Sequence, residues 1–353
     1  MSSSLLARRA KDPIAAVRQL LGLQGQDIPA VRMSVRARTE HLHERDVLAA
    51  LDRPPALVRI WAMRGTLHLV AATDARWLTT LFGPRLRAAT AGRRRSLGIP
   101  DERCEIALPL LAEILAAGPL VRGDIVRGLH DSGFEIEAGS QAVPHLLGYA
   151  GAGGLVCCGP GETFAFVEDW LPPATDPPDP PDPPDLPAEL ARRYLTGHGP
   201  AAAADLAAWS GLPLTQARAA FGSIEDELRW WDTDLGPMAS IDKTPANKGD
   251  SPAVRLLPRY DGYLIGWRDR DLVLDAANAR AIHPGGGVLN AALVIDGFVR
   301  GSWGWAKRSG KRVIVVTPFT PLQRKEIAGV EADAADVSRF LGEDVGLDFE
   351  AAR

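Results

Sequence analysis

Two glutamines, Gln24 and Gln26, stand two positions apart in LGLQGQD, residues 21–27, with Gly25 between them. In an extended segment, residues two apart point to the same side, so their side chains converge. Gly25 leaves the opposite side bare and open to close approach by backbone or ligand. Two carboxamide oxygens on one side can hold a single water through two hydrogen bonds. A neutral amide is a very poor base, so the pair can position water but hardly deprotonate it. Such a site works only where the leaving group departs easily and water merely has to be in place. Glutamines in a turn are more often simply solvated, and the pair alone does not separate these readings.

Other chemistries have weaker support. There is no G-x-S-x-G and no phosphate-binding G-x-x-x-x-G-K-[ST]. The glycine clusters GAGG (151–154) and PGGG (284–287) do not open a helix after a strand, so turn service is the better account. In RYDGYLIGWRDRD (259–271), Asp261 can pair with Asp269 or Asp271 as acid and base, but an ion-paired sheet edge is simpler. Trp303 and Trp305 face one way on a strand, suited to stacking on bases or to filling a core. Cys104, Cys157 and Cys158 lack C-x-x-C spacing, and His41-x-His43 supplies two ligands at most. Neither metal nor any other cofactor is expected.

The positioning elements can be read around these residues. Asp12 and Pro13 open a helix whose Ile14, Val17 and Leu21 share a face, and Gly22 closes it. Pro29–Arg38 and Glu44–Leu51 read as helices, and Leu57–Trp61 with Thr66–Val70 as a hairpin. Three helices followed by a hairpin is the order of a winged helix-turn-helix. That order recurs with Glu102–Ala117, Val121–Leu129 and Gln141–Ala150 before a hairpin of Leu155–Cys158 and Thr163–Val167. A third set, Leu190–Leu195, Ala201–Trp209 and Leu214–Phe221, precedes a strand at Glu227–Trp231. From Val254 short β-rich runs take over: Val254–Leu257, Tyr263–Trp267, Ala291–Ile295, Val299–Trp305 and Arg312–Thr317, with a tight turn at Asp296–Gly297. A helix, Pro321–Leu341, and a last strand near the end follow, and the texture suggests a barrel. The expected class is α+β: three tandem winged helix-turn-helix units and a C-terminal β-barrel. The expected segments are 1–100, 101–170, an acidic proline-rich spacer at 171–187, 188–250, and the barrel at 251–353.

Charge is uneven. Residues 1–100 hold 17 Lys+Arg against 7 Asp+Glu, whereas residues 101–200 hold 5 against 16, although the whole chain is only −4. A basic segment of this kind suggests a polyanion-binding surface, beside the simpler reading of an arginine-rich composition. No apolar run is long enough to span a bilayer, and MSSSLLARRAKDP lacks the apolar core of a signal peptide. A cytoplasmic protein is expected.

Five stretches in register, LQGQD, MRGTLHLV (63–70), HGPAAAADLAAWSGL (198–212), LLPRYDGYLIGWRDR (256–270) and VIDGFVRGSW (294–303), resemble the AlkZ/YcaQ family of bacterial winged-helix DNA glycosylases. The resemblance covers most of the chain and implies three winged helices and a barrel around a basic cleft. It also implies a catalytic glutamine–any–glutamine at Gln24 and Gln26; the other branch carries aspartate at the second position. The middle residue, larger or apolar in the family, is Gly25 here. The implied reaction is hydrolysis of the N-glycosidic bond of cationic alkylated purines in double-stranded DNA, bulky or crosslinking adducts included. The implied enzyme is a monomer without a Schiff-base lysine: Lys11 is the only lysine in the first 240 residues. Arg32, Arg36, Arg38 and Arg64 are candidate phosphate contacts, as are Arg93, Arg94 and Arg95, and each is equally readable as a solvated charge. His68 either orders the active-site hairpin or sits in the core. The alternative function is a winged-helix DNA-binding protein without catalysis.

Overall fold

A computed structural model describes residues 4–6, 9–171, 185–241 and 253–352. The chain forms two compact units, one of residues 1–47 with 190–353 and one of residues 48–189. Most of the proline-rich spacer (172–184) and the end of the expected third winged-helix segment (242–250) lie outside the described residues.

The N-terminal piece begins with α1 (Pro13–Leu20), β1 (Leu23–Gln24), α2 (Ile28–Arg36) and α3 (Glu44–Ala49). The Asp12 carboxylate accepts from the Ala15 N–H at 2.7 Å, and Asp27 does the same for Ala30 at 3.0 Å. Helices α1 and α2 therefore each start on a side-chain acceptor with proline in the first turn.

Within the 48–189 unit, β2 (Leu57–Trp61) and β3 (Leu67–Ala71) pair from Leu57↔Ala71 to Trp61↔Leu67, as the alternation predicts. The 25-residue helix α4 (Ala72–Ser96) follows at once, an element the sequence reading did not assign. Then come α5 (Asp101–Leu115), β4 (Leu120–Val121), α6 (Arg122–Asp131), α7 (Ala142–Ala152), β5 (Val156–Cys158), β6 (Thr163–Phe166) and α8 (Val167–Trp170). The strands of this unit lie in the order β3-β2-β5-β6-β4. Apolar faces of α5, α6 and α7 close a core around Leu111, Leu129 and Leu146. All three cysteines are buried and free. Burial pushes the Cys104 thiol up to about 11 and Cys157 up to about 12, and raises Cys158 as well.

The chain returns with α9 (Leu186–His198), α10 (Ala203–Ser210), α11 (Leu214–Gly222) and the hairpin β7 (Arg229–Thr233)–β8 (Gly236–Ser240). It continues through β9 (Val254–Leu257), α12 (Gly262–Ile265), α13 (Ala279–Ile282), β10 (Ala292–Ile295), β11 (Phe298–Arg308), β12 (Lys311–Pro318), α14 (Arg324–Leu341) and β13 (Gly346–Phe349).

Two expectations are corrected here. The C-terminal strands do not close into a barrel; they form an open sheet in the order β13-β12-β11-β10-β9. The β9 edge is satisfied by side chains instead of a further strand. Asp333 accepts the Leu256 N–H at 2.8 Å and Arg36 donates to the Leu256 carbonyl at 3.0 Å. The run Tyr263–Trp267, expected as a strand, begins as α12, because Asp261 accepts the Tyr263 N–H at 2.9 Å and caps a helical turn. The tight turn at Asp296–Gly297 is present, with φ of 50° and 92° joining Ile295 to Phe298.

Candidate functional site

The glutamine pair is built by the way α1 ends. Leu21 takes a left-handed conformation (φ 59°), and Gly22 (φ 151°) lets the chain straighten into β1. Helix α9 holds the end of α1: Gln19 Nε2 donates to the Thr196 carbonyl at 2.8 Å, and Arg193 donates to the Arg18 carbonyl at 2.9 Å. Gly197 permits this approach, since a Cβ there would lie 2.6 Å from the Gln19 carbonyl oxygen. Gln24 is half-buried, Gly25 buried and Gln26 exposed, and Asp27 then starts α2. Gln24 Nε2 donates to Gln26 Oε1 at 3.4 Å. The two carboxamides thus face each other, although the strand ends at Gln24 and Gln26 lies in the bend that leads into α2.

The expected DNA-contacting arginines divide into two groups. Arg36, Arg38 and Arg94 are buried (0–1% exposed) and paired, which corrects their reading as phosphate contacts, because no phosphate can reach them in this arrangement. Arg36 donates to Asp333 and Asp336, each at 3.0 Å. Arg38 makes a two-pronged pair with Asp261 at 2.6 and 2.8 Å, and Arg94 donates to Asp101 at 2.6 Å. Burial pushes the Asp261 carboxyl up, but Arg38 and hydrogen bonds from Ser34 and the Tyr263 N–H outweigh it, leaving Asp261 below the ordinary range. Asp261 is therefore an ion-paired anchor, whereas Asp269 pairs with Arg268 at the surface. Arg32 is partly buried and bound to Glu44 at 3.0 Å. Arg64, Arg93 and Arg95 are exposed, Arg64 at the tip of the β2–β3 hairpin with φ 53°.

His68 sits in the core, 1% exposed, with Nδ1 3.0 Å from the Thr66 carbonyl. Burial, followed by the charge of Arg64, lowers its pKa to about 3. GAGG finishes α7, and Gly285–Gly287 all take positive φ in a turn, so both glycine clusters serve the backbone. His43 Nδ1 lies 2.9 Å from the Arg339 carbonyl, and among the described residues no three potential metal ligands cluster.

One feature escaped sequence reasoning. A cavity of about 670 Å³ opens between the start of α2, the end of α14 and strands β11 and β12. Asp27 lines it, next in the chain to Gln26, as do Trp303, Trp305, Arg259 and Arg312. The Trp303-x-Trp305 spacing signalled an aromatic surface, but nothing local marked Arg259 or Arg312 as its neighbours. A second cavity, of about 720 Å³, lies in the 48–189 unit. Its Arg76 and Arg87 are paired with Glu168 and Glu105.

Comparison with known proteins gives three findings. The family model described as DNA glycosylase AlkZ-like matches residues 17–340. The Interstrand DNA cross-link repair glycosylase of Streptomyces sahachiroi is 28% identical over 346 residues, covering 92% of this chain and 90% of that protein. The solved structure of the Streptomyces sahachiroi DNA glycosylase AlkZ aligns with a TM-score of 0.75 at 23% identity, covering 99% of this chain and 96% of that one. That likeness carries the mixed α+β fold. No described helix is long and apolar enough to cross a membrane.

Proposed function

Because the chain belongs to the AlkZ-like DNA glycosylase family, we propose that it hydrolyses the N-glycosidic bond of cationic N7- or N3-alkylated purines in double-stranded DNA. The observation that carries this reading is the approach of two carboxamides, Gln24 and Gln26, at 3.4 Å on a half-exposed segment. That separation is at the long end of a hydrogen bond, and one water can replace it by bridging the two amides. The bridged water adds to C1′ of the deoxyribose as that carbon gains oxocarbenium character. In either adduct the C1′–N9 bond breaks, and its electron pair neutralises the cationic base. No acid is needed for departure, and the water's proton passes to solvent. Unmodified guanine is a poor leaving group and is spared, since the pair supplies positioning without strong acid or base.

The proposed frame is three winged-helix units, with Arg32, Arg64, Arg93 and Arg95 contacting phosphates around a monomer acting on cytoplasmic DNA. Crosslinks in which each bridge is an N7-alkylpurine present the same bond, so unhooking falls within the proposed chemistry. The test is single-turnover release of 7-methylguanine from methylated duplex by the wild type and by the Gln24→Ala/Gln26→Ala double variant. The variant is expected to lose about 100-fold or more, the scale on which misplaced reactants lose rate. An unchanged rate removes the pair from catalysis. Duplex binding by the wild type without release of any base would favour the non-catalytic DNA-binding alternative.

A further inference from the structure

The cavity beside Asp27 is far roomier than a methylated base needs. Its volume of about 670 Å³ falls among sites for drug-sized ligands, roughly 300–1,000 Å³. One wall is an aromatic corner: Trp303 and Trp305 lie 5.3 Å apart between ring centroids at an interplanar angle of 81°. Trp303 is fixed, 7% exposed with Nε1 donating to the Leu257 carbonyl at 2.8 Å. Trp305 is 39% exposed, and the Arg312 guanidinium lies 3.7 Å from its ring centroid. The polar rim is already paired, Asp27 with Arg259 at 3.7 Å and Glu343 with Arg312 at 3.6 Å. Beside this polar rim the cavity offers a ligand the exposed part of the Trp305 ring, and Asp27, which lines it, follows Gln26 directly in the chain.

We propose that this cavity receives the planar aromatic substituent of a bulky N7-alkylguanine, stacking it in the Trp303–Trp305 corner while Gln24 and Gln26 face the sugar. The inference rests on the glycosylase reading for its choice of ligand. A methyl adduct leaves the corner unused; a fused polycyclic group displaces its water and gains stacking, worth about 1–3 kcal/mol per ring system. The lower part of that range, about 1.4 kcal/mol, amounts to about tenfold in affinity.

The experiment uses the full chain with two otherwise identical duplexes, one bearing a single N7-methylguanine and one an N7-guanine carrying a fused polycyclic aryl group. Fluorescence anisotropy gives the ratio of the two dissociation constants for the wild type, Trp305→Ala and Trp305→Leu, the second keeping apolar bulk without the ring. The aryl duplex is expected to bind the wild type about tenfold tighter, and the ratio to fall to about one in both variants. A wild-type ratio near one overturns the proposal, as does a ratio that persists in both variants. Base release is followed in parallel. If the wild type frees neither base, the glycosylase reading falls while the affinity ratio still decides what the cavity binds.

Discussion

The carboxamides of Gln24 and Gln26 do not titrate, so the proposed chemistry has no ionisation of its own to follow. The residue whose charge state does depend on the fold is His68. Its folded pKa of about 3 lies below the unfolded value of 6.5, so the folded state holds the neutral imidazole. The stability this contributes is complete above pH 6.5 and is lost as pH falls toward 3. Between pH 7 and 5 it amounts to about 2 kcal/mol. Urea unfolding of the wild type at these two pH values should show a drop larger by that amount than His68→Asn shows. Equal drops would mean that His68 titrates normally. At this scale the sequence was informative about the amides, because period-two geometry is local, and uninformative about the arginines. Arg36 and Arg38 meet carboxylates 297 and 223 residues away, and nothing in their own segment distinguishes a buried pair from a solvated charge.

Elements bounded by caps, glycines and alternating runs were readable; those set by distant packing were not. Helix α4 escaped notice because Gly83 and Pro84 interrupt it and Thr79–Thr80 weaken its propensity. Gly83 is there for closeness: a Cβ would sit 2.0 Å from the Ala152 carbonyl of α7. The barrel was misjudged because edge satisfaction by Asp333 and Arg36 leaves no trace in strand periodicity. The seam between α9 and α1 gives a prediction at this scale. Gly197→Ala places a methyl 2.9 Å from the Leu20 Cα, four residues before Gln24. The end of α1 must shift, at a cost of about 1–3 kcal/mol. Thermal unfolding should register that loss, and base release should fall by tenfold or more as the pair is displaced. Wild-type melting and rate together would show that α9 does not position the pair.

Across the whole molecule, a net charge of −4 conceals the basic first hundred residues, and three of the seven arginines singled out there are buried in ion pairs. Those left on the surface set the expected electrolyte response. Arg93→Ala/Arg95→Ala should flatten the plot of log affinity against log salt concentration by about 2, as loss of two phosphate contacts requires. Titration of an undamaged duplex at several salt concentrations measures it, and an unchanged slope would take α4 off the nucleic acid. The same 48–189 unit has a bearing on the company such a protein keeps. Reagents that alkylate purines attack soft nucleophiles faster still, and a thiolate is the softest a protein offers. Here every sulfhydryl is shut away and held protonated, at about 11 for Cys104 and about 12 for Cys157. An electrophile that scars the genome finds in the folded chain no exposed thiol to poison.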